Sequence, residues 1–372
     1  MVAIDHTMHG VAPGNATDLL FSVDTVSSQF DPGIPATAAA SPFAVARAGA
    51  AGQGSTFFAS LKERHNNVGK NAAQANVEMK FASAGETADV GASGDLYINL
   101  QNFARTRDAM RQTVLDLMNL NASIGDMDVD ADSTNGPDLN KDKVYFIGHS
   151  LGAIIGTTFV AVNNDPDVQA FNGNLPKIQG AILGNGGGGV VKLLENSPSI
   201  GGAKILPGLQ AAAGLEQGSA DIEKFFGVMQ AMVDSADPIN FVSAPHMQTL
   251  PILSYEAVGG VDDAKPDLVV PNNALNATVA TAKSYLAGTD PLVRLLDITT
   301  QYDQSTDTAQ PQQNAEGIRA NVRVGTGDHS TFSNADPQDT FTEIYGQIGS
   351  FIATEGKAVN VSDKTVLAPA AE

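Results

Sequence analysis

The sequence predicts an α/β protein with a mostly parallel sheet flanked by helices and a helical cap inserted late in the chain. Three observations carry this. Short β-branched, apolar runs alternate with longer segments of helical period; one run feeds a glycine-flanked turn and then an apolar helix; and residues 187–245 form a long insertion with amphipathic stretches. Alternating strands and helices imply a parallel sheet covered on both faces, because each parallel connection must cross over the sheet.

The run Val2-Ala3-Ile4-Asp5 has β character and ends in a His-Gly turn at His9-Gly10. Residues 13–54 are rich in Gly, Pro, Ala and Ser, so an irregular excursion is expected there. Over 102–120, Phe103, Met110, Val114, Leu115, Leu117 and Met118 recur at helical spacing among arginines, which predicts an amphipathic helix. The acidic loop 126–142 leads into the buried-type strand Lys143-Val144-Tyr145-Phe146-Ile147, and 151–162 reads as an apolar helix. Further strands are expected at 178–183, 250–255 and 320–324, and a helix at 341–352. Within 187–245, the segments 206–215 and 221–233 look like cap helices. The organisation expected is a first core part over 1–186, a cap over 187–245, a second core part over 246–356 and a loosely attached tail over 357–372.

Composition excludes several classes. The 372-residue chain has no cysteine, so no disulfide, thiolate nucleophile or cysteine-ligated metal is available. A formal charge of −20 opposes nucleic acid and anionic membrane surfaces and suits a salty medium. No run reaches the length of a transmembrane span, and the first residues lack the layout of a signal peptide.

The chemistry centres on Gly148-His149-Ser150-Leu151-Gly152. A serine hydroxyl is a weak nucleophile, so it needs a base to take its proton and a third group to hold that base. Glycines two residues before and after Ser150 permit a sharp strand-to-helix turn that thrusts the hydroxyl out, with the Leu151 N–H aimed at a developing oxyanion. Strand, turn and helix together resemble the nucleophile elbow of the α/β-hydrolase superfamily, which implies the α/β-hydrolase fold. In that superfamily the triad runs serine, acid, histidine, and only His329, in Gly327-Asp328-His329, follows the last predicted strand. Three aspartates after the strand at 250–255 compete as the acid. Asp267 is favoured because Asp267-Leu268-Val269-Val270-Pro271 resembles the short Val-Pro stretch that follows the acid in many α/β-hydrolases, and Asp262 and Asp263 remain alternatives.

The chain also resembles bacterial lipases, and more narrowly the surface or secreted virulence-factor lipases and lysophospholipases. The stretches concerned are Val2 to Asp5 with His9-Gly10, Arg105-Thr106-Arg107-Asp108 with Arg111-Gln112, the elbow, Gly184-Asn185-Gly186-Gly187-Gly188-Gly189, Asp234-Ser235-Ala236-Asp237-Pro238-Ile239-Asn240, and Gly327 to His329. This resemblance implies the triad Ser150, Asp267 and His329, a lipid or acyl ester substrate and a cap acting as a lid over an acyl pocket. It also implies a secreted or cell-surface location with transient contact at a lipid interface. Such proteins carry a strand ahead of the one resembling Val2 to Asp5, whose following loop gives the second oxyanion N–H; this chain reads as lacking that leading part.

No cofactor is required for serine chemistry. Asp128, Asp130 and Asp132 stand at alternate positions of the acidic loop, as in calcium loops, and a structural Ca²⁺ there competes with a plain solvated loop. The loop lacks the glycine and closing glutamate of an EF-hand. Two other functional readings use the same residues: a thioesterase or acyltransferase, since fold and triad do not choose the acyl acceptor, and a hydrolase-like binding module.

Overall fold

The computed structural model describes residues 97–128, 136–275 and 277–370, together with the backbone of two short strands, Val68–Gly69 and Lys80–Phe81, which pair antiparallel. The expected strand at Val2 to Asp5, its His9-Gly10 turn and the excursion over 13–54 lie outside the described residues. The chain divides into two compact units, Met1–Thr113 and Val114–Glu372. Helix α1 (Phe103–Ser123) runs across the division. In the first unit, buried Tyr97 shares a 3.2 Å hydroxyl hydrogen bond with Thr113, and Asn99 Oδ1 accepts from the N–H groups of Gln101 and Asn102 ahead of α1.

The second unit is built on a five-stranded sheet made of β1 (Val144–His149), β2 (Ile178–Gly184), β3 (Ile252–Ala257), β4 (Thr300–Tyr302) and β5 (Arg319–Val324). Its spatial order is β1-β2-β3-β5-β4, and all four pairings are parallel. This is the α/β architecture the alternating pattern predicts. Strand β4 is a departure, because its three residues, Thr-Gln-Tyr, show no alternation of their own. They become a strand only by pairing Thr300 to Tyr302 against Ala320 to Val322.

Neighbouring strand residues point to opposite faces, and β1 shows what covers each. Phe146 meets helix α2 (Leu151–Asn163) on one side, its ring 5.5 Å from that of Phe159. Tyr145 meets helix α8 (Gln338–Ala353) on the other, 6.5 Å from the ring of Phe351. Helix α2 is buried along nearly its whole length, which suits its mostly apolar and small residues, with buried Thr157 and Thr158 bonded to the Ala153 and Ala236 carbonyls; a Cβ on Gly156 would fall 2.0 Å from the Phe146 ring. The core on the α8 face gathers Leu253, Tyr255, Val322, Phe332, Ile344, Ile348 and Phe351. Burying each such side chain contributes roughly 1.5–3 kcal/mol.

Between β2 and β3 the chain is largely helical: α4 (Val190–Asn196), a π-helical segment (Pro198–Ile205), α5 (Leu206–Ala213), α6 (Ala220–Val233) and a 3-10 turn (Pro238–Asn240). Helix α3 (Pro166–Phe171) precedes β2 and α7 (Thr289–Leu295) precedes β4.

The expectation of a loosely attached tail over 357–372 is corrected. Ala358–Val359 pairs antiparallel with Gln312–Gln313, and Val359, Val361, Val366, Leu367 and Ala368 are buried. Beyond β5, Gly325 N–H donates to Val366 O at 2.9 Å and Ala368 N–H donates to Arg323 O at 2.8 Å. Alternating apolar residues here complete the core beside β5, which a tail in solvent would leave exposed.

Candidate active site

Parallel strands deliver their C-terminal ends, and the loops that follow, to one edge of the sheet, where ligands are bound in such folds. Ser150 follows β1, Asp267 follows β3 and His329 follows β5. At Ser150 the strand turns into α2 through a single residue with φ 55° and ψ −123°, a sparsely populated conformation for an L-residue that costs on the order of 1–3 kcal/mol. The flanking glycines permit it: a Cβ on Gly148 would lie 2.5 Å from Gly152 O. Ser150 N–H is held by Gly184 O at 2.8 Å, extending the β1–β2 ladder into the turn. Leu151 is the first residue of α2, so its N–H has no intrahelical acceptor and points out of the helix start.

His329 opens the 3-10 turn His329–Phe332, capped at Asp328, whose Oδ1 accepts from Ser330 N–H at 2.8 Å. His329 Nε2 lies 2.8 Å from Ser150 Oγ, and its Nδ1 lies 2.6 Å from Asp267 Oδ2. A carboxylate accepts, so the Nδ1 carries the hydrogen, leaving Nε2 free to take one from the serine. The side chain of Asp267 is 1% exposed, and its Oδ1 accepts from the N–H groups of Val269 and Val270 at 2.7 and 2.9 Å. These two bonds fix the carboxylate plane. The Asp267 N–H donates to Ala257 O at 3.0 Å, which tethers the acid's loop to the end of β3.

The structure thus brings Ser150, His329 and Asp267 into one hydrogen-bonded chain with Leu151 beside it. Asp262 and Asp263 stand apart, in an exposed turn with φ of 49° and 62°.

Two residues not singled out individually from the sequence support this edge. His149 donates from Nε2 to His329 O at 2.8 Å. Burial, and then the neighbouring His329, push its pKa down to about 4. Asp237, inside a stretch picked out only as a resemblance, is fully buried and receives Gly189 N–H at 3.0 Å, Val190 N–H at 2.6 Å, Ile239 N–H at 3.1 Å and the Gln230 amide at 2.9 Å. It pins the glycine-rich loop after β2 to the start of α4, where the helix dipole favours a negative group. Burial raises its pKa against those hydrogen bonds. The helical stretch also touches the acid's loop, since Ser199 N–H donates to Leu268 O at 3.0 Å.

Among the described residues no group of three or more His, Asp or Glu side chains could hold a metal ion. Asp128 is exposed, and Asp130 and Asp132 lie outside the described residues. No described helix is long and apolar enough to cross a membrane. Comparison with protein-family models, with curated proteins and with solved structures finds no match.

Proposed function

We propose that this protein is an α/β-hydrolase that cleaves carboxylic esters of lipids or other acyl groups through Ser150, His329 and Asp267. The observation that carries the reading is the unbroken chain from Ser150 Oγ through His329 to a buried Asp267, with Ser150 on a strained elbow.

His329 Nε2 takes the Ser150 proton as Oγ attacks the substrate carbonyl, and Asp267 steadies the imidazolium that forms. The negative charge on the carbonyl oxygen is met by the Leu151 N–H at the start of α2. Collapse of this intermediate leaves the acyl group on Ser150 Oγ, and His329 returns its proton to the departing alcohol. Water then attacks the acyl-enzyme with His329 again as base, releasing the carboxylic acid and restoring the serine hydroxyl.

The choice of an acyl rather than a small polar substrate rests on the lipase resemblance, and the helical stretch that touches the acid's loop at Leu268 is the wall an acyl chain would meet. A secreted or cell-surface setting, with transient contact at a lipid interface, rests on the lipase resemblance alone. The test is a p-nitrophenyl ester series from acetate to palmitate together with labelling by a fluorophosphonate. Turnover and labelling are expected in the intact protein, with Ser150→Ala lowering kcat by at least roughly 10⁴-fold and abolishing the label. Full turnover by Ser150→Ala would overturn the proposal.

A further inference from the structure

Two donors converge on the main-chain carbonyl of His329: His149 Nε2 at 2.8 Å and Asn185 Nδ2 at 3.0 Å. They arrive from the ends of β1 and β2, so both lone pairs of that oxygen are engaged from the sheet side. Asn185 is itself fixed, in the left-handed region with φ 49°, by its N–H on Tyr255 O at 2.9 Å and its Oδ1 under Ala257 N–H at 3.2 Å. The His149 ring is stacked on Phe332, with centroids 5.3 Å apart and planes within 12°. Phe332 closes the same turn that His329 opens, and its ring fills the space left by the missing Cβ of Gly184. An elbow needs small residues at its glycine positions only; nothing in its geometry requires an imidazole just before the serine.

We propose that His149 is a positioning residue for the base: its Nε2–H, together with the Asn185 amide, clamps the His329 carbonyl and thereby sets the His329 ring between Ser150 and Asp267. The inference rests on the reading of those three residues as a catalytic triad. The donor must carry its hydrogen on Nε2, because a carbonyl oxygen only accepts. The charged or titratable groups that face His149 are His329, with ring centroids 4.8 Å apart, and behind it Asp267. A second imidazolium at that spacing would oppose the one His329 forms during turnover. Burial beside His329 keeps His149 neutral down to about pH 4.

The first measurement uses the intact wild-type protein: nitrogen-15 NMR of its histidines across pH. Where it is neutral, His149 is expected as the Nε2–H tautomer; the Nδ1–H tautomer overturns the proposal. The second compares His149→Phe, which keeps the flat stacked ring without a donor, with His149→Gln, which keeps a donor. His149→Phe should lower kcat for a p-nitrophenyl ester about tenfold or more with KM unchanged, and shift the downfield His329 Nδ1–H proton resonance; His149→Gln should recover most of both. Wild-type kcat and an unmoved resonance in His149→Phe would refute the clamp. A wild-type protein that neither turns over esters nor takes the fluorophosphonate refutes the hydrolase reading instead, while the NMR measurements still decide whether the clamp exists.

Discussion

Glu256 lies one residue before the end of β3, only 2% exposed, with Asn321 Nδ2 donating to its Oε2 at 2.9 Å and Asp290 hydrogen-bonded to it. Burial first, and the neighbouring Asp290 carboxylate second, push its pKa up from 4.5 to about 8. In the unfolded chain this glutamate is ionised above its ordinary pKa, whereas the folded carboxyl keeps its proton until about pH 8. Unfolding between those values releases a proton, so raising the pH draws the equilibrium towards the unfolded state. The stability present below pH 4.5 is therefore lost progressively up to about pH 8, with a total on the order of 5 kcal/mol at about 1.4 kcal/mol per pH unit. Glu256→Gln preserves shape, still accepts from Asn321 and offers Asp290 a neutral donor, and it removes this titration. Urea unfolding of the two proteins at pH 5.5, 7 and 8.5 isolates the Glu256–Asp290 pair, because titrating groups not coupled to it cancel in the difference. The variant should gain on wild type as pH rises, by a few kcal/mol between the extremes at unchanged m-value. A wild-type minus variant difference that is flat across this range, or grows in the opposite direction, would refute the assignment of a protonated Glu256.

Asp267→Asn should leave the fold intact but present an N–H to His329 Nδ1, forcing the wrong tautomer on the base; kcat for a p-nitrophenyl ester should fall roughly 10⁴-fold, and a loss of under tenfold would remove Asp267 from the relay. Asp237→Asn keeps the side-chain volume but can no longer accept three backbone N–H groups and the Gln230 amide together, so thermal or urea unfolding should report a loss of about 2–4 kcal/mol. Gly156→Ala places a methyl 2.0 Å from the Phe146 ring, where helix backbone and sheet must separate; a loss of about 1–3 kcal/mol is expected in urea unfolding, although alanine normally favours a helix, and a stabilised variant would show the contact to be slack.

Local chemistry was readable in the chain. The elbow is a five-residue event: Gly148 and Gly152 permit the turn, the apolar run of β1 feeds it and the small residues of α2 leave it, so motif, strand and helix announce one another. Order along the sheet was readable too, since His329 alone among the histidines follows β5. Strand β4 was not legible, because three residues carry no periodicity and owe their conformation to a neighbour. Nor was the docking of the C-terminal residues, where Val359, Val361 and Leu367 look like any sparse apolar pattern until β5 supplies a surface for them.

The sequence by itself determined that a serine would sit on a strained turn between an apolar strand, which the structure leaves half-buried with Ile147 37% exposed, and a buried helix, because those requirements act over a few consecutive residues. It narrowed the partner acid to three aspartates of one loop. Only the tertiary structure decided that Asp267 meets His329, that Asp237 anchors the glycine-rich loop and that His149 turns its Nε2 onto a carbonyl 180 residues away. Those contacts depend on where parallel strands place their ends in space. Hydrogen bonds between groups so distant in sequence leave no period or spacing by which to be found.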